Sequence, residues 1–176
     1  MKVNNQSIKM YSIILILILG IVAVSTNYWS TSSGNIPYDI QGDTTSYRLN
    51  LGLWKSCTSI KGPDGSDNNS CMDTSDPNGP NFKNLKTVRI LSISSLVLLA
   101  ISLYLLYAMP KQKEYFVLFL VLAGILSISS IISWNNDPGA KDAGNQLKHG
   151  YSWYLELISG LLAILLAGLT QFNVIV

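Results

Sequence analysis

Four stretches of about twenty residues, near 8–27, 88–109, 115–134 and 151–170, contain between them only three charged side chains, Lys9, Arg89 and Glu156. No other property of the chain limits its fold so severely. Each stretch is long enough to cross roughly 30 Å of hydrocarbon as a helix. One such stretch can be a buried core helix. Four of them in 176 residues leave too little polar sequence to cover a water-soluble core. Charged residues make up 12% of the chain, against roughly 25% in a soluble domain. The expected architecture is a membrane bundle of four helices, with the chain as a single domain over 1–176. The outer loops fall at about 28–86 and 135–150. The first stretch also fits a cleavable leader, with Lys2 and Lys9 ahead of an apolar run that ends in Ala23-Val24-Ser25. Retention as a span is the expectation carried forward.

Orientation follows from lysine and arginine in short flanks. Lys2 and Lys9 precede the first span, and Lys111 and Lys113 lie in the short turn between the second and third. Both groups fall on one side, which reads as the cytoplasm, so both termini are expected there. The two longer loops then face outward. The long loop carries basic residues of its own, but long loops cross largely regardless of charge.

The cysteines point the same way. Cys57 and Cys71 are the only two, and both lie in the long outer loop. An even pair outside the cytosol reads as a disulfide. Free thiols or metal ligands are the alternative, although with His149 the only histidine a zinc site is not expected. The tryptophans cluster on this side too. Trp29 follows the first span, Trp134 ends the third, Trp153 opens the fourth, and Trp54 is in the long loop. Indoles favour such interfaces because an apolar ring carries one N–H that wants a polar partner.

Within the spans, small residues recur where helices would meet. Ser159, Ala163 and Ala167 are spaced by four; Ser92, Ser95 and Ser102, and Gly124, Ser127 and Ser130, mark the second and third spans. Small side chains let helix backbones approach. Arg89 and Glu156 lie near span ends on the outer side, and an ion pair between them there is one expectation.

The long loop is folded rather than a linker. Tyr47 to Leu53 alternates apolar and other residues, the period of a half-buried strand. Lys61 to Ser66 and Asp76 to Pro80 read as turns. A strand into Cys57 and a return strand around Cys71 make an antiparallel hairpin. One hairpin alone is marginal, so the segment from Ser30 to Tyr47 is expected to add strands to a small sheet above the bundle.

At this point the chain resembles a known family. A Trp after the first span (Trp29), then Gly52-Leu53-Trp54, then Cys57 and Cys71, with Arg89 at the outer end of the second span, is similar to the ordered signature of the claudin superfamily. It resembles the peripheral myelin proteins, epithelial membrane proteins and calcium-channel gamma subunits as much as the claudins. The resemblance implies a left-handed four-helix bundle under a five-stranded antiparallel sheet, four strands from the first loop and one from the second. It also implies that Trp29, Gly52, Leu53, Trp54 and Arg89 seat the sheet on the membrane surface. Two departures stand out. The cysteines are fourteen positions apart, wider than is usual in claudins, and only Gln171–Val176 follows the fourth span. The apolar end at Val176 is one that a PDZ domain captures by strand addition.

Other motifs are sparse. Asn68-Asn69-Ser70 is a glycosylation sequon. No phosphate loop, catalytic triad or carboxylate pair is visible, so no catalytic residue, cofactor or metal site is expected, and no nucleic-acid partner. The resemblance implies an adhesion or barrier protein of the plasma membrane or cell junction, self-associating within and between membranes. It equally allows an auxiliary channel subunit or an organiser of a larger membrane assembly. The first outer loop carries five basic and six acidic residues, net −1, and the second balances at zero. Asp39, Asp43 and Arg48 are therefore equal candidates for setting any ion preference.

Overall fold

The computed structural model describes residues 5–37, 44–62, 64–74, 82–109, 112–137 and 148–172. Four helices cover the apolar stretches: α1 (Asn5–Ser25), α2 (Leu85–Ala108), α3 (Lys113–Asn135) and α4 (Tyr151–Gln171). All four are long and apolar enough to span a membrane. Each packs against two others, α1 on α2 and α4, and α3 on α2 and α4, which closes the bundle into a ring.

The small residues form its inner seam. Ser92, Ser95 and Ser102 on α2, Ser127 and Ser130 on α3, and Ser159, Ala163 and Ala167 on α4 are all buried. Three of the hydroxyls tie neighbouring helices together: Ser95 donates to the carbonyl of Ala123, Ser127 to that of Glu156, and Ser159 to that of Ile16. Leu15, Ile18, Ile93, Val97, Leu118 and Leu161 face outward instead. An apolar exterior over a small, hydroxyl-bearing interior is the arrangement expected where the solvent is lipid.

Between α1 and α2 the chain forms β1 (Ser30–Pro37), β2 (Thr44–Leu51), β3 (Lys55–Lys61) and β4 (Asp67–Asp73), and β5 (Lys148–His149) leads into α4. The five strands make one antiparallel sheet in the order β4-β3-β2-β1-β5. Cys57 and Cys71 are directly opposed on β3 and β4 and are joined by a disulfide. The β3–β4 turn is held by Asp64, whose carboxylate accepts both the N–H and the hydroxyl of Ser66. The turn anticipated over Asp76 to Pro80 lies outside the described residues.

Alternation on β2 sets the sheet's two sides. Leu51 is buried and Leu49 packs against the joint with the bundle, whereas Arg48, the neighbour of Leu49 on the opposite face, is exposed. The molecule accordingly has two cores. One fills the bundle around Ile13, Leu99, Leu120 and Ala163. The other, around Trp29, Leu51, Leu53, Val88 and Trp134, lies where sheet meets helices. Trp29 and Trp134 are fully buried in this second core, so they differ from the interface-belt tryptophans their sequence positions suggest. The sheet covers them, which replaces headgroup contact with protein packing.

Candidate functional site

The last carbonyls of any helix lack intrahelical donors, and the end of α1 shows how this chain supplies them. The N–H and hydroxyl of Thr26 both reach the carbonyl of Val22. The next two carbonyls are taken by indoles: Trp29 Nε1 donates to Ala23 at 2.8 Å, and Trp54 Nε1 to Val24 at 2.9 Å. The two tryptophans, 25 residues apart in sequence, thus cap one helix end together. Each fixes a different strand to it, since Trp29 leads into β1 and Trp54 into β3.

The link between β2 and β3 makes this possible. It is the segment Gly52-Leu53-Trp54, closed by Gly52 N–H to the Lys55 carbonyl at 2.9 Å, and beside it Trp29 N–H reaches the Leu51 carbonyl at 2.8 Å. Gly52 lies against the backbone of Asn27 so closely that a Cβ there would collide with the Asn27 Cα. Leu53 is fully buried in the joint. Its carbonyl is the focus of polar contacts. Arg89 Nε and Nη2 donate to it at 2.8 and 2.6 Å, and Thr74 Oγ1 donates at 2.9 Å. Arg89 Nη2 also donates to Thr74 Oγ1 at 2.8 Å, and Thr74 N–H reaches the Trp54 carbonyl at 3.1 Å. The guanidinium lies 4.6 Å from the centre of the Trp54 ring. α2 is thereby tied to the same turn that caps α1.

A second set of contacts holds β5 and α4. Gly150 N–H donates to the Trp29 carbonyl and Ser152 N–H to the Tyr28 carbonyl. Gly150 leaves no room for a Cβ against that Tyr28 carbonyl. The hydroxyls of Thr26 and Ser152 are 2.5 Å apart, and Tyr28 stacks on Tyr151. α3 joins through Trp134 Nε1, which donates to Ser30 Oγ at 3.0 Å. All four helices therefore reach the sheet through a polar contact near residues 22–30, 53–54 or 74.

A family model described as PMP-22/EMP/MP20/Claudin matches residues 6–170. The chain belongs to the PMP-22/EMP/MP20/Claudin family. A direct sequence comparison with curated proteins finds no match. In this claudin-family chain, the signature residues Trp29, Gly52, Leu53, Trp54 and Arg89 converge on the single joint just described, while Cys57 and Cys71 lie further out on the hairpin.

One expectation is corrected by the geometry. The ion pair anticipated between Arg89 and Glu156 is replaced by two separate arrangements. Arg89 turns toward the sheet and meets Leu53, Thr74 and Trp54. Glu156 turns into the bundle and is 1% exposed. There Ser127 donates to its carboxyl at 3.1 Å and to its backbone carbonyl at 2.9 Å, and Ser130 lies at 3.5 Å. The physical reason is that each group finds nearer partners on its own side. The Leu53 carbonyl is presented to Arg89 by a turn with no room to move, and the serines of α3 face Glu156 directly.

Sequence reasoning passed over Thr74 and Ser30, which carry joint contacts. Their signal was faint, one hydroxyl just past the second cysteine and one just past Trp29. Asp137 was also passed over. It is buried, and its carboxylate accepts the backbone N–H of Asn84 just ahead of α2. His149 stacks on Trp153 with ring centres 4.2 Å apart. Asn68 is exposed on the edge strand β4. Asp39, Asp43 and Val176 lie outside the described residues. Among the described residues no three His, Cys, Asp or Glu side chains gather as metal ligands would.

The face of the sheet turned away from the helices is open and polar. A concavity of about 330 Å³ between β5, β1 and β2 is lined by Thr31, Ser33, Arg48, Asn50 and Lys148. A second, of about 370 Å³, lies across β1, β2 and β3 to the start of β4, around Arg48, Lys61 and Asp67. Arg48 forms part of both walls.

Proposed function

We propose that this chain acts at a cell surface through the open face of its sheet, pairing with copies of itself or similar proteins as an adhesion or barrier protein. The observation that carries this reading is the division of labour within the sheet. One face is consumed by the joint with the helices, and the other is polar, concave and left free. The family supplies the second support, since it includes the claudins. The lysines support an outward sheet. Lys9 and Lys113 lie at the far end of the bundle from the sheet, the end that a positive-inside arrangement places in the cytoplasm.

Charge placement refines the proposal. The first loop is close to neutral overall, but among the described residues the concavity bounded by Arg48 and Lys148 has no carboxylate in its wall. Copies that brought such concavities together would line the space between membranes with cations, which favours anions there. Among the described first-loop charges Arg48 takes precedence, because it borders both hollows.

Expression in cells that lack junctions, followed by freeze-fracture imaging of the contacts and identification of co-purifying proteins, tests the proposal. Continuous intramembrane strands at contacts are the expected result. A channel recovered in fixed stoichiometry, with no strands, would replace this reading by that of an auxiliary subunit.

A further inference from the structure

The inward side of α4 carries Ser152, Glu156, Ser159, Gly160 and Ala163, all buried. Glu156 is the ionisable member of that row. It lies five residues into α4, about 7.5 Å along the helix, and is 1% exposed.

Serines from two other helices stand at its level. Ser127 on α3 reaches it directly. α2 runs antiparallel to α3, and Ser95 donates to the carbonyl of Ala123. One turn toward the sheet from that contact are Ser92 on α2 and Ser127 on α3. Ser92 is fully buried, and its hydroxyl makes no hydrogen bond. Among the described residues, the side chains that act on the Glu156 carboxyl are hydroxyls alone: Ser127, Ser92 and Ser130. The charged side chains of the two helices packed on α4 stand at the other end of the bundle, Lys9 on α1 and Lys113 and Glu114 on α3. Arg89 on α2 lies a turn nearer the sheet and donates to Leu53 and Thr74.

A count of hydrogens decides the form of this carboxyl. A serine hydroxyl has one hydrogen to give. Ser127 Oγ lies 2.9 Å from the Glu156 carbonyl and 3.1 Å from Oε1. Ser130 Oγ lies 2.7 Å from the Ser127 carbonyl and 3.5 Å from Oε1. In both cases a carbonyl, which only accepts, is the nearer partner. With both hydrogens given to carbonyls, Oε1 faces Ser127 Oγ with no serine hydrogen between them. A carboxylate has none to add, whereas a carboxylic acid has one. Space argues the same way. An ionised carboxyl taken out of water needs a cation or water beside it, yet α3 and α4 are pressed together here. A Cβ on Gly160 would meet Ser127 Cβ and Oγ at 3.0 Å, and one on Gly124 the Gly160 carbonyl at 2.8 Å.

We propose that Glu156 is a proton-binding site: its carboxyl holds a hydrogen at neutral pH and donates it to Ser127 Oγ, so that an uncharged acid locks α4 to α3. Ser92, unpaired at the same level, is the donor that a small rotation brings to the other carboxyl oxygen. The lock also bears on the joint. Ser152, one turn nearer the sheet on the same side of α4, meets Thr26, and Gly150 and Ser152 donate to the Trp29 and Tyr28 carbonyls. The proton on Glu156 thereby helps to hold β5 and α4 against the joint.

The chain has two glutamates, Glu114 and Glu156, so the site is directly readable. The full chain is produced with glutamate carrying carbon-13 at its side-chain carboxyl, purified in neutral detergent, and measured by carbon NMR at neutral pH. Glu156→Gln and Glu114→Gln each remove one resonance and assign the pair, and the second variant suffices if the first does not fold. The Glu156 resonance is expected at the position of a carboxylic acid, unmoved when sodium chloride replaces choline chloride. A resonance at the carboxylate position would overturn the proposal, and one that moves with sodium would put a metal cation in place of the proton. Amide hydrogen exchange at Gly150 and Ser152 reads the link to the joint. Glu156→Gln, uncharged and still able to donate to Ser127, is expected to exchange as the parent does. Glu156→Asp, one methylene shorter, is expected to exchange about threefold to fifteenfold faster, the factor an interhelical hydrogen bond supplies. Equal exchange in the two variants, fast or slow, would overturn the lock.

Discussion

The guanidinium of Arg89 lies 4.6 Å from the centre of the Trp54 ring and donates two N–H groups to the carbonyl of the preceding residue, Leu53. Trp54 in turn donates its own N–H to the end of α1. A side chain on α2 thus braces the indole that caps α1, and the strand-connecting turn is gripped between them. A charged hydrogen bond contributes about 1.5–3 kcal/mol and a cation over an indole about 0.5–2 kcal/mol. Arg89→Ala is expected to cost about 3 kcal/mol by these figures. Arg89→Lys recovers less than half, because an ammonium cannot offer two N–H groups to one carbonyl while lying flat on a ring. Denaturant unfolding in micelles, followed by tryptophan fluorescence, measures both. A lysine variant as stable as the parent would show that charge alone matters.

The two capping indoles differ in burial, and so should their loss. Trp29 is fully buried, whereas Trp54 is 37% exposed. Trp29→Phe leaves the Ala23 carbonyl buried without its donor and is expected to cost about 1–3 kcal/mol. Trp54→Phe lets water reach Val24 and costs less. Gly52→Ala forces the turn away from Asn27 and should disturb both caps at once. The same unfolding measurement ranks the three, and equal losses for the two Phe variants would contradict the burial argument.

Glu156 binds helix to helix through Ser127. Interhelical hydrogen bonds of this kind contribute about 0.6–1.7 kcal/mol. Glu156→Gln keeps an acceptor oxygen and is expected to be near neutral, while Glu156→Leu should lose about 1 kcal/mol. Reversible unfolding in mixed micelles checks the pair. A leucine variant more stable than the parent would remove the carboxyl from any structural role.

The β3–β4 turn should respond to acid. The Ser66 hydroxyl, and then its N–H, hold the Asp64 carboxyl below its ordinary value. A carboxyl lowered on folding contributes stability that is present above its unfolded pKa and lost as pH falls through the folded one. Hydrogen exchange at the Ser66 amide is therefore expected to quicken below the usual aspartate range, and the change should vanish in Asp64→Asn. Exchange with the same pH profile in both proteins would contradict this.

How much of this could be read from the residues differs by element. The spans and the hairpin were legible because their signals are local: charge-free runs of membrane length, period-two alternation at Tyr47–Leu53, and two opposed cysteines. The joint was legible only through the resemblance, since nothing in the spacing of Trp29, Trp54 and Arg89 says that all three meet within one turn. Thr74 was not legible, because its value lies in a carbonyl 21 residues away. Glu156 was misplaced for a related reason. Position along a span says how deep a charge lies, but not which side of the helix it occupies, and in α4 that side faces serines.

The account rests on Trp54 and Arg89 acting as one clamp, and a double-mutant cycle tests this most directly. Trp54→Leu, Arg89→Ala and their combination are compared with the parent by unfolding in the same micelles. A clamp predicts non-additive losses, with a coupling of about 1–2 kcal/mol for contacting residues in one network. Losses that simply add would mean that the ring and the guanidinium act independently, and would contradict the shared joint.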